Sequence, residues 1–259
     1  MKNKMPVVFV GHGSPMNAIE DNNYSRSWTE LGKTLEAPKA ILSISAHWFT
    51  RGTKVNDSLK PAMVYDMYGF PDELYQVKYP ASGSPELAYQ ARDLIGDFVT
   101  IDNNWGIDHG SWSVLHRMYP KADIPIVQVS VNAMLSPAEH YEIGKKLRPL
   151  RDEGVLIFGS GNIVHNLSRV DWRMNDGQLW AQEFDQYIFR AIQKGAFSDV
   201  VDYTKAGESA QLSVPSMDHF VPLLYVLGAS DANDEVRAFN EDCTLGSMSM
   251  TSYLFTQKA

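Results

Sequence analysis

Four short, β-branched apolar runs punctuate this chain, and helical stretches lie between them. That alternation constrains the fold more than any other feature, because strands that alternate with helices build a sheet covered on its faces. The first run, Val7-Val8-Phe9-Val10, stops at Gly11-His12-Gly13-Ser14-Pro15-Met16. It is short, apolar and bounded by breakers, which reads as a buried strand. Gly11 and Gly13 permit positive φ and close approach of a neighbour, so His12 falls on a tight loop at a strand's carboxyl end. The second run, residues 39–46, leads into His47, with Trp48 and Phe49 directly after it. The third covers residues 125–131, and the fourth, Val155-Leu156-Ile157-Phe158, breaks at Gly159-Ser160-Gly161 shortly before His165. Open α/β sheets bind ligands at the carboxyl ends of their strands, and three of these runs bring a histidine to that edge.

The connecting segments support the same class. Trp28, Leu31 and Leu35 recur at helical spacing and predict a helix over 23–35. Residues 50–80 are irregular and rich in Tyr, Pro and Gly, and so long a connection inside a compact domain points to function. Ser84-Pro85-Glu86 opens a helix to about residue 98, with Ser as cap and Pro in the first turn. Residues 104–112 read as an aromatic, Gly-containing loop around His109, followed by a short helix over 113–119. Ser136 and Glu139 form a capping box for a helix to about residue 150. Helices are expected over 179–194 and over 217–227, the second capped by Ser216 with His219 in its first turn, and a terminal strand over 247–255. No repeat or low-complexity linker intervenes. The expectation is a single α/β domain over 1–259, with a central mostly parallel or mixed sheet flanked by helices.

Composition narrows the function. A chain of 259 residues with 44% hydrophobic content has material for a sizeable core. A formal net charge of −8 and no basic block argue against nucleic acid as a partner. The single cysteine, Cys243, excludes an intrachain disulfide and suits a reducing, cytoplasmic setting. No apolar run reaches the length of a membrane span, and the amino-terminal run is too short for a signal segment.

Seven histidines are present. His116 and His140 fall inside helical stretches and read as structural. His12, His47, His109, His165 and His219 fall at element ends, where several imidazoles gathered in one crevice would suit Zn, Fe or Cu. No His-Glu-x-x-His and no cysteine pair specifies which metal. Gly11-His12-Gly13-Ser14 and Gly159-Ser160-Gly161 do not fit the Gly-x-Ser-x-Gly nucleophile elbow. Neither a Gly-x-Gly-x-x-Gly nor a Walker loop is present to cradle phosphates. Cys243 follows Glu241 and Asp242 and has no basic neighbour to activate it.

Five blocks in order carry a resemblance: Gly11-His12-Gly13-Ser14-Pro15-Met16, Ser45-Ala46-His47-Trp48, Gly106-Ile107-Asp108-His109-Gly110-Ser111-Trp112, Gly161-Asn162-Ile163-Val164-His165-Asn166-Leu167, and His219-Phe220-Val221-Pro222-Leu223-Leu224-Tyr225. Together they resemble the 4,5-DOPA extradiol dioxygenase family, a branch of the class III extradiol ring-cleaving dioxygenases related to the β chain of protocatechuate 4,5-dioxygenase. The resemblance implies one non-haem divalent metal per chain, with His12, His47 and His219 as ligands. It implies His165 as the catalytic acid/base, with a fourth contact to the metal in a zinc-loaded form, and His109 as a catalytic histidine on the substrate side. Many non-haem oxygenases use two histidines and a carboxylate; here the third position matches His219, with Asp218 beside it.

The implied reaction inserts O₂ into a small aromatic diol, beside the diol, to give a muconic semialdehyde. Zinc has no accessible redox step, so Fe(II) is expected for activity and Zn(II) as the ion bound in some preparations. Trp48, Phe49, Trp105 and Trp112 flank the histidines and could wall a slot for a flat ring; Trp48 and Trp112 are the candidates for substrate contact. Two alternatives use the same residues: a zinc hydrolase, which would work without O₂, and a non-enzymatic binding protein of the same fold.

Overall fold

The computed structural model describes residues 4–258. Ten strands form among the described residues: β1 (Val7–Gly11), β2 (Ala40–Thr50), β3 (Lys54–Val55), β4 (Thr100–Ile101), β5 (Ile126–Asn132), β6 (Val155–Gly161), β7 (Asp234–Phe239), β8 (Cys243–Thr244), β9 (Met248–Ser249) and β10 (Ser252–Gln257). Eight make one mixed sheet in the order β4-β3-β5-β2-β6-β1-β10-β7, and β8 with β9 makes a small separate ladder. The central strands β5, β2, β6 and β1 are parallel. The β10 and β7 strands join beyond β1 in antiparallel pairing.

Alternation along the central strands divides the core between the two faces of the sheet. Val7 and Phe9 enter one apolar cluster while Val8 and Val10 enter the other. Val155 and Ile157 part in the same way from Leu156 and Phe158. Helices α3 (Pro85–Ile95), α5 (Pro137–Leu147), α6 (Leu179–Gln193) and α9 (Val221–Ala229) pack on the first face; α1 (Asn23–Thr34) and α4 (His109–Met118) pack on the second. Short helices α2 (Asp72–Tyr75), α7 (Phe197–Val201) and α8 (Glu208–Ser213) complete the shell. Because β6 inserts between β2 and β1, the carboxyl ends of all three lie side by side. That is the topological position of a ligand crevice.

Most elements expected from the sequence are present, and the departures have local causes. The helix expected over 113–119 begins at His109, because the Asp108 side chain accepts from Ser111 N and caps it there. The helix expected to start at Met217 starts at Val221 without a Ser216 cap; Pro222 occupies its first turn, where a missing N–H costs nothing. The helix opened by Ser84 stops at Ile95, where Gly96 takes φ 133°. The helix opened by Ser136 is α-helical to Leu147 and then tightens into a 3₁₀ turn. The β2 strand continues through His47 to Thr50, with a register shift between Ile44 and Phe49. The terminal strand starts at Ser252, preceded by the β9 fragment. The half-exposed, charged edge strand β7 has no counterpart in the sequence reading, since Asp234, Glu235 and Arg237 mask its alternation.

Candidate metal centre

The five element-end histidines form one group. Ring centroids lie 5.0 Å apart for His12 and His47, 3.9 Å for His47 and His109, 5.3 Å for His12 and His219, and 5.0 Å for His47 and His219. His165 stacks on His219 at 3.4 Å with an interplanar angle of 7°. His116 and His140 stand apart from this group in helices α4 and α5; His140 Nδ1 faces the Tyr225 hydroxyl at 3.1 Å.

Backbone geometry brings the group together. Gly13 adopts φ 58°, which turns the chain sharply after His12. A Cβ on Gly161 would sit 2.1 Å from the His219 carbonyl oxygen. The absent side chain lets Asn162 N donate to that carbonyl at 2.9 Å and draws the His219 segment against the end of β6. His109 stands in the first turn of α4, which Asp108 caps by accepting from Ser111 N. Asp108 accepts from Ser45 Oγ at 2.6 Å, from Trp105 Nε1 at 3.1 Å and from Gln128 Nε2. Gln128 and Ser130 replace apolar residues on that side of β5, and Gln128 serves this network.

Hydrogen bonds settle which imidazole nitrogens are free. Ser160 Oγ donates to the Gly110 carbonyl at 2.6 Å and lies 3.0 Å from His12 Nδ1. The hydroxyl's one proton is committed to Gly110, so His12 Nδ1 is the donor and its Nε2 carries the lone pair. Asp66 Oδ1 accepts from His109 Nδ1 at 2.9 Å and from His109 N at 3.0 Å. Its Oδ2 lies 3.1 Å from His47 Nδ1. A carboxylate only accepts, so His47 and His109 also keep their Nε2 lone pairs when neutral. His47 Nε2 and His12 Nε2 are 3.1 Å apart. Two facing lone pairs repel unless a positive charge lies against both. The spacing also fits one ion, since two nitrogens each about 2.1 Å from a metal stand roughly 3.0–3.4 Å apart.

Electrostatics agree with a donor set for a cation. Burial, followed by the charge of neighbouring imidazoles, pushes His12 and His219 well below the usual histidine range. Burial and then His47 lower His109. Burial also opposes charge on His47, but the Asp66 hydrogen bond and the carboxylates of Asp108, Asp66 and Asp218 outweigh it, and its affinity for a proton rises. Burial would raise Asp66, but its bonds to His109 and His47 hold it far below the carboxylate range. Burial lowers His165 to about 4. Both ring nitrogens of His219 are buried without a hydrogen-bond partner, with Asp218 Oδ2 at 3.3 Å from Nδ1. Neutral imidazoles with free lone pairs are ligands for divalent transition metals.

Among the described residues, His12, His47 and His109 offer nitrogens that all lie within 4.8 Å of one another. The resemblance gives His219, not His109, as the third ligand, and His219 stands in the same group, its ring centroid 5.3 Å from that of His12 and 5.0 Å from that of His47. Trp112 is fully buried in the core of the α1–α4 face, donates Nε1 to the Val64 carbonyl at 2.9 Å and has Tyr65 as a ring neighbour at 5.6 Å. Trp48 is buried as well, while Phe49 on the same strand is partly exposed. Burial pushes the Cys243 thiol far up, away from the thiolate form.

Residues 6–256 match the family model for the catalytic LigB subunit of aromatic ring-opening dioxygenase. The chain belongs to this family. It is similar to a 4,5-DOPA dioxygenase extradiol of Escherichia coli K12, at 45% identity over 96% of this chain and 94% of the relative. It is also similar to the 4,5-DOPA dioxygenase extradiol of Beta vulgaris, at 40% identity over 96% of this chain and 95% of the relative. The crystal structure of an uncharacterized Escherichia coli K12 protein superposes with a TM-score of 0.85 at 43% identity, covering 97% of this chain and 99% of the other. The chain is an extradiol ring-cleaving dioxygenase, and its histidine group provides for the metal such a reaction uses. Among the described residues no helix is long and apolar enough to cross a membrane.

No sequence motif marks the groups that orient the histidines. Asp108 stands in the sequence only as part of the block around His109, Ser160 only in a turn that fails as a nucleophile elbow, and Asp66 in no motif at all. Asp66 lies in the long irregular segment, inside Tyr65-Asp66-Met67-Tyr68-Gly69-Phe70. An acid in an aromatic, Gly-containing stretch was the available signal.

Proposed function

We propose that the chain opens the ring of a small catechol of the DOPA type beside its two hydroxyls, using Fe(II) and O₂ and yielding a muconic semialdehyde. The observation that carries this reading is the facing pair of Nε2 lone pairs on His12 and His47, 3.1 Å apart, inside a buried group of imidazoles. His12 and His47 hold the metal. His219 completes the set, supported by two buried ring nitrogens without a hydrogen-bond partner, Nδ1 lying 3.3 Å from Asp218 Oδ2. His109 faces the substrate and is held by Asp66. A second reading exchanges these last two roles, and the 4.8 Å grouping of His12, His47 and His109 favours it. Metal content after His219→Ala and after His109→Ala separates the two: the true ligand's loss empties the site.

When bound, iron supplies the one-electron exchange between catechol and O₂ that closed-shell side chains and zinc cannot. The chain's own groups supply proton handling. His165 is neutral near pH 7, because burial lowers it to about 4, and is stacked beside His219. In this reading it accepts a catechol hydroxyl proton and returns it as the ring opens. Burial of the histidine group excludes water that would compete for those protons.

The test is an aerobic assay of Fe(II)-reconstituted protein on a panel of catechols, followed by the yellow ring-cleavage product. Turnover that persists without O₂ would identify a hydrolase instead. With His165→Ala, turnover is expected to fall by roughly 10²–10⁴-fold with metal retained. Lost metal would make His165 a ligand; unchanged turnover would remove it from the mechanism.

A further inference from the structure

We infer that Asp66 is a positioning residue that locks His47 and His109 together in one tautomer, so that both present a bare Nε2 to the centre. This rests on the metal-centre reading given above. The geometry is a single carboxylate shared between two imidazoles. Oδ1 takes two donors from His109, the ring Nδ1–H at 2.9 Å and the backbone N–H at 3.0 Å. Oδ2 faces His47 Nδ1 at 3.1 Å. The Asp66 side chain is only 13% exposed, so water competes weakly for these bonds.

One residue thereby couples two histidine-bearing elements distant in sequence: the end of β2 and the first turn of α4. His47 and His109 rings lie 3.9 Å apart between centroids, and their Nδ1 atoms meet the same carboxylate. Imidazoles that bind metals commonly have the second nitrogen fixed by a carboxylate or carbonyl, and loss of such a partner weakens metal binding about 10–100-fold. Here one partner fixes two rings at once. His12 reaches the same tautomer by a separate route, through Ser160 and the Gly110 carbonyl.

The shared geometry makes Asp66→Asn an asymmetric probe. The Oδ1 position receives two N–H donors and must stay an oxygen. The amide NH₂ therefore takes the Oδ2 position and points at His47 Nδ1. An NH₂ group only donates, so His47 must accept there and move its proton to Nε2. His109 keeps its tautomer, while His47 loses the lone pair that faces His12.

Metal-free full-length protein, with ¹⁵N-labelled histidine, is examined by long-range ¹H–¹⁵N spectra at a pH where the histidines are neutral. The wild type is expected to carry the proton on Nδ1 of both His47 and His109. Asp66→Asn is expected to switch His47 alone. In a Co²⁺ titration followed by visible absorption, Asp66→Asn should bind about 10–100-fold more weakly than wild type. A wild-type His47 protonated on Nε2 overturns the inference even if the variant fails to fold. So does an Asp66→Asn protein that binds Co²⁺ as tightly as wild type. A wild type that binds no Co²⁺ sinks the metal-centre reading instead, and the spectra still decide the tautomer.

Discussion

The two ends of the central sheet both bury groups that water would normally hold, and they treat them in opposite ways. At the amino-terminal end, the Arg151 side chain is 0% exposed and Asp234 is 1% exposed. Arg151 donates to the Met5 and Ala229 carbonyls and to both oxygens of Asp234. At the carboxyl end, both ring nitrogens of His219 are buried without a hydrogen-bond partner, and the His12 and His47 rings, when neutral, point lone pairs at each other. A buried charge pair that is fully bonded adds constraint to the fold and offers nothing to a ligand. A buried cluster left short of protons or cations is costly in itself, and a bound ion relieves it. The lesson is that satisfaction, more than burial, separates a structural polar group from a functional one.

Breaking the carboxyl end has the largest expected effect. His47→Ala removes one lone pair of the facing pair and should abolish ring cleavage and metal uptake, measured by turnover and by metal content. Chelation of the wild type should abolish turnover too. It should also lower Tm, because an ion that binds only the folded state at 100 times its Kd contributes about 2.7 kcal/mol.

Breaking the amino-terminal end should do the reverse. Arg151→Met leaves Asp234 buried and unpaired, and should cost about 3–5 kcal/mol in denaturant unfolding. The molecules that remain folded should keep their specific activity. A double replacement, Arg151→Met with Asp234→Leu, should recover most of that loss; failure to recover would mean the pair's carbonyl bonds matter more than its charge.

A pH series sharpens the contrast at a third site. Asp185 is buried between the Ser249 and Thr251 hydroxyls, and burial raises it to about 6 despite those bonds. A carboxyl whose folded value is raised holds its proton in the native state after the unfolded chain has released it. Stability from this group is therefore greatest on the acid side and falls as pH rises from about 4 through about 6, by about 3 kcal/mol. Asp185→Asn should flatten that slope in unfolding curves taken across the window.

The smallest effect is expected at His140, a buried histidine outside the cluster. Burial lowers it to about 4, as at His165, yet its neighbour is a tyrosine and not other imidazoles. His140→Leu should cost about 1–3 kcal/mol by leaving the Tyr225 hydroxyl unpaired, with turnover unchanged. A large loss of turnover there would break the distinction drawn between the two kinds of buried histidine.

Much of this was legible in the sequence because its signals are local. Val7–Gly11, the early part of β2, and Val155–Gly161 each combine β-branched runs with glycine breakers or a histidine, and a strand's carboxyl end follows directly from that order. His12, His47 and His165 could be assigned to one edge on those grounds. His219 and His109 entered with their roles only through resemblance, because a histidine at a helix start has no local mark of function. The start of α4 was misplaced since Asp108 was read as part of a loop, and its capping bond is visible only in three dimensions.

Residue order by itself determined the class of fold, the edge on which a site must form, and the imidazoles available to it, because strand periodicity and breakers act over a few neighbouring residues. The tertiary structure alone decided which nitrogens face inward and what holds them. Asp66 meets a ring 43 positions away, and Ser160 meets one 148 positions away. Tautomers depend on such bonds, and no short-range pattern records a partner that only folding brings within 3 Å.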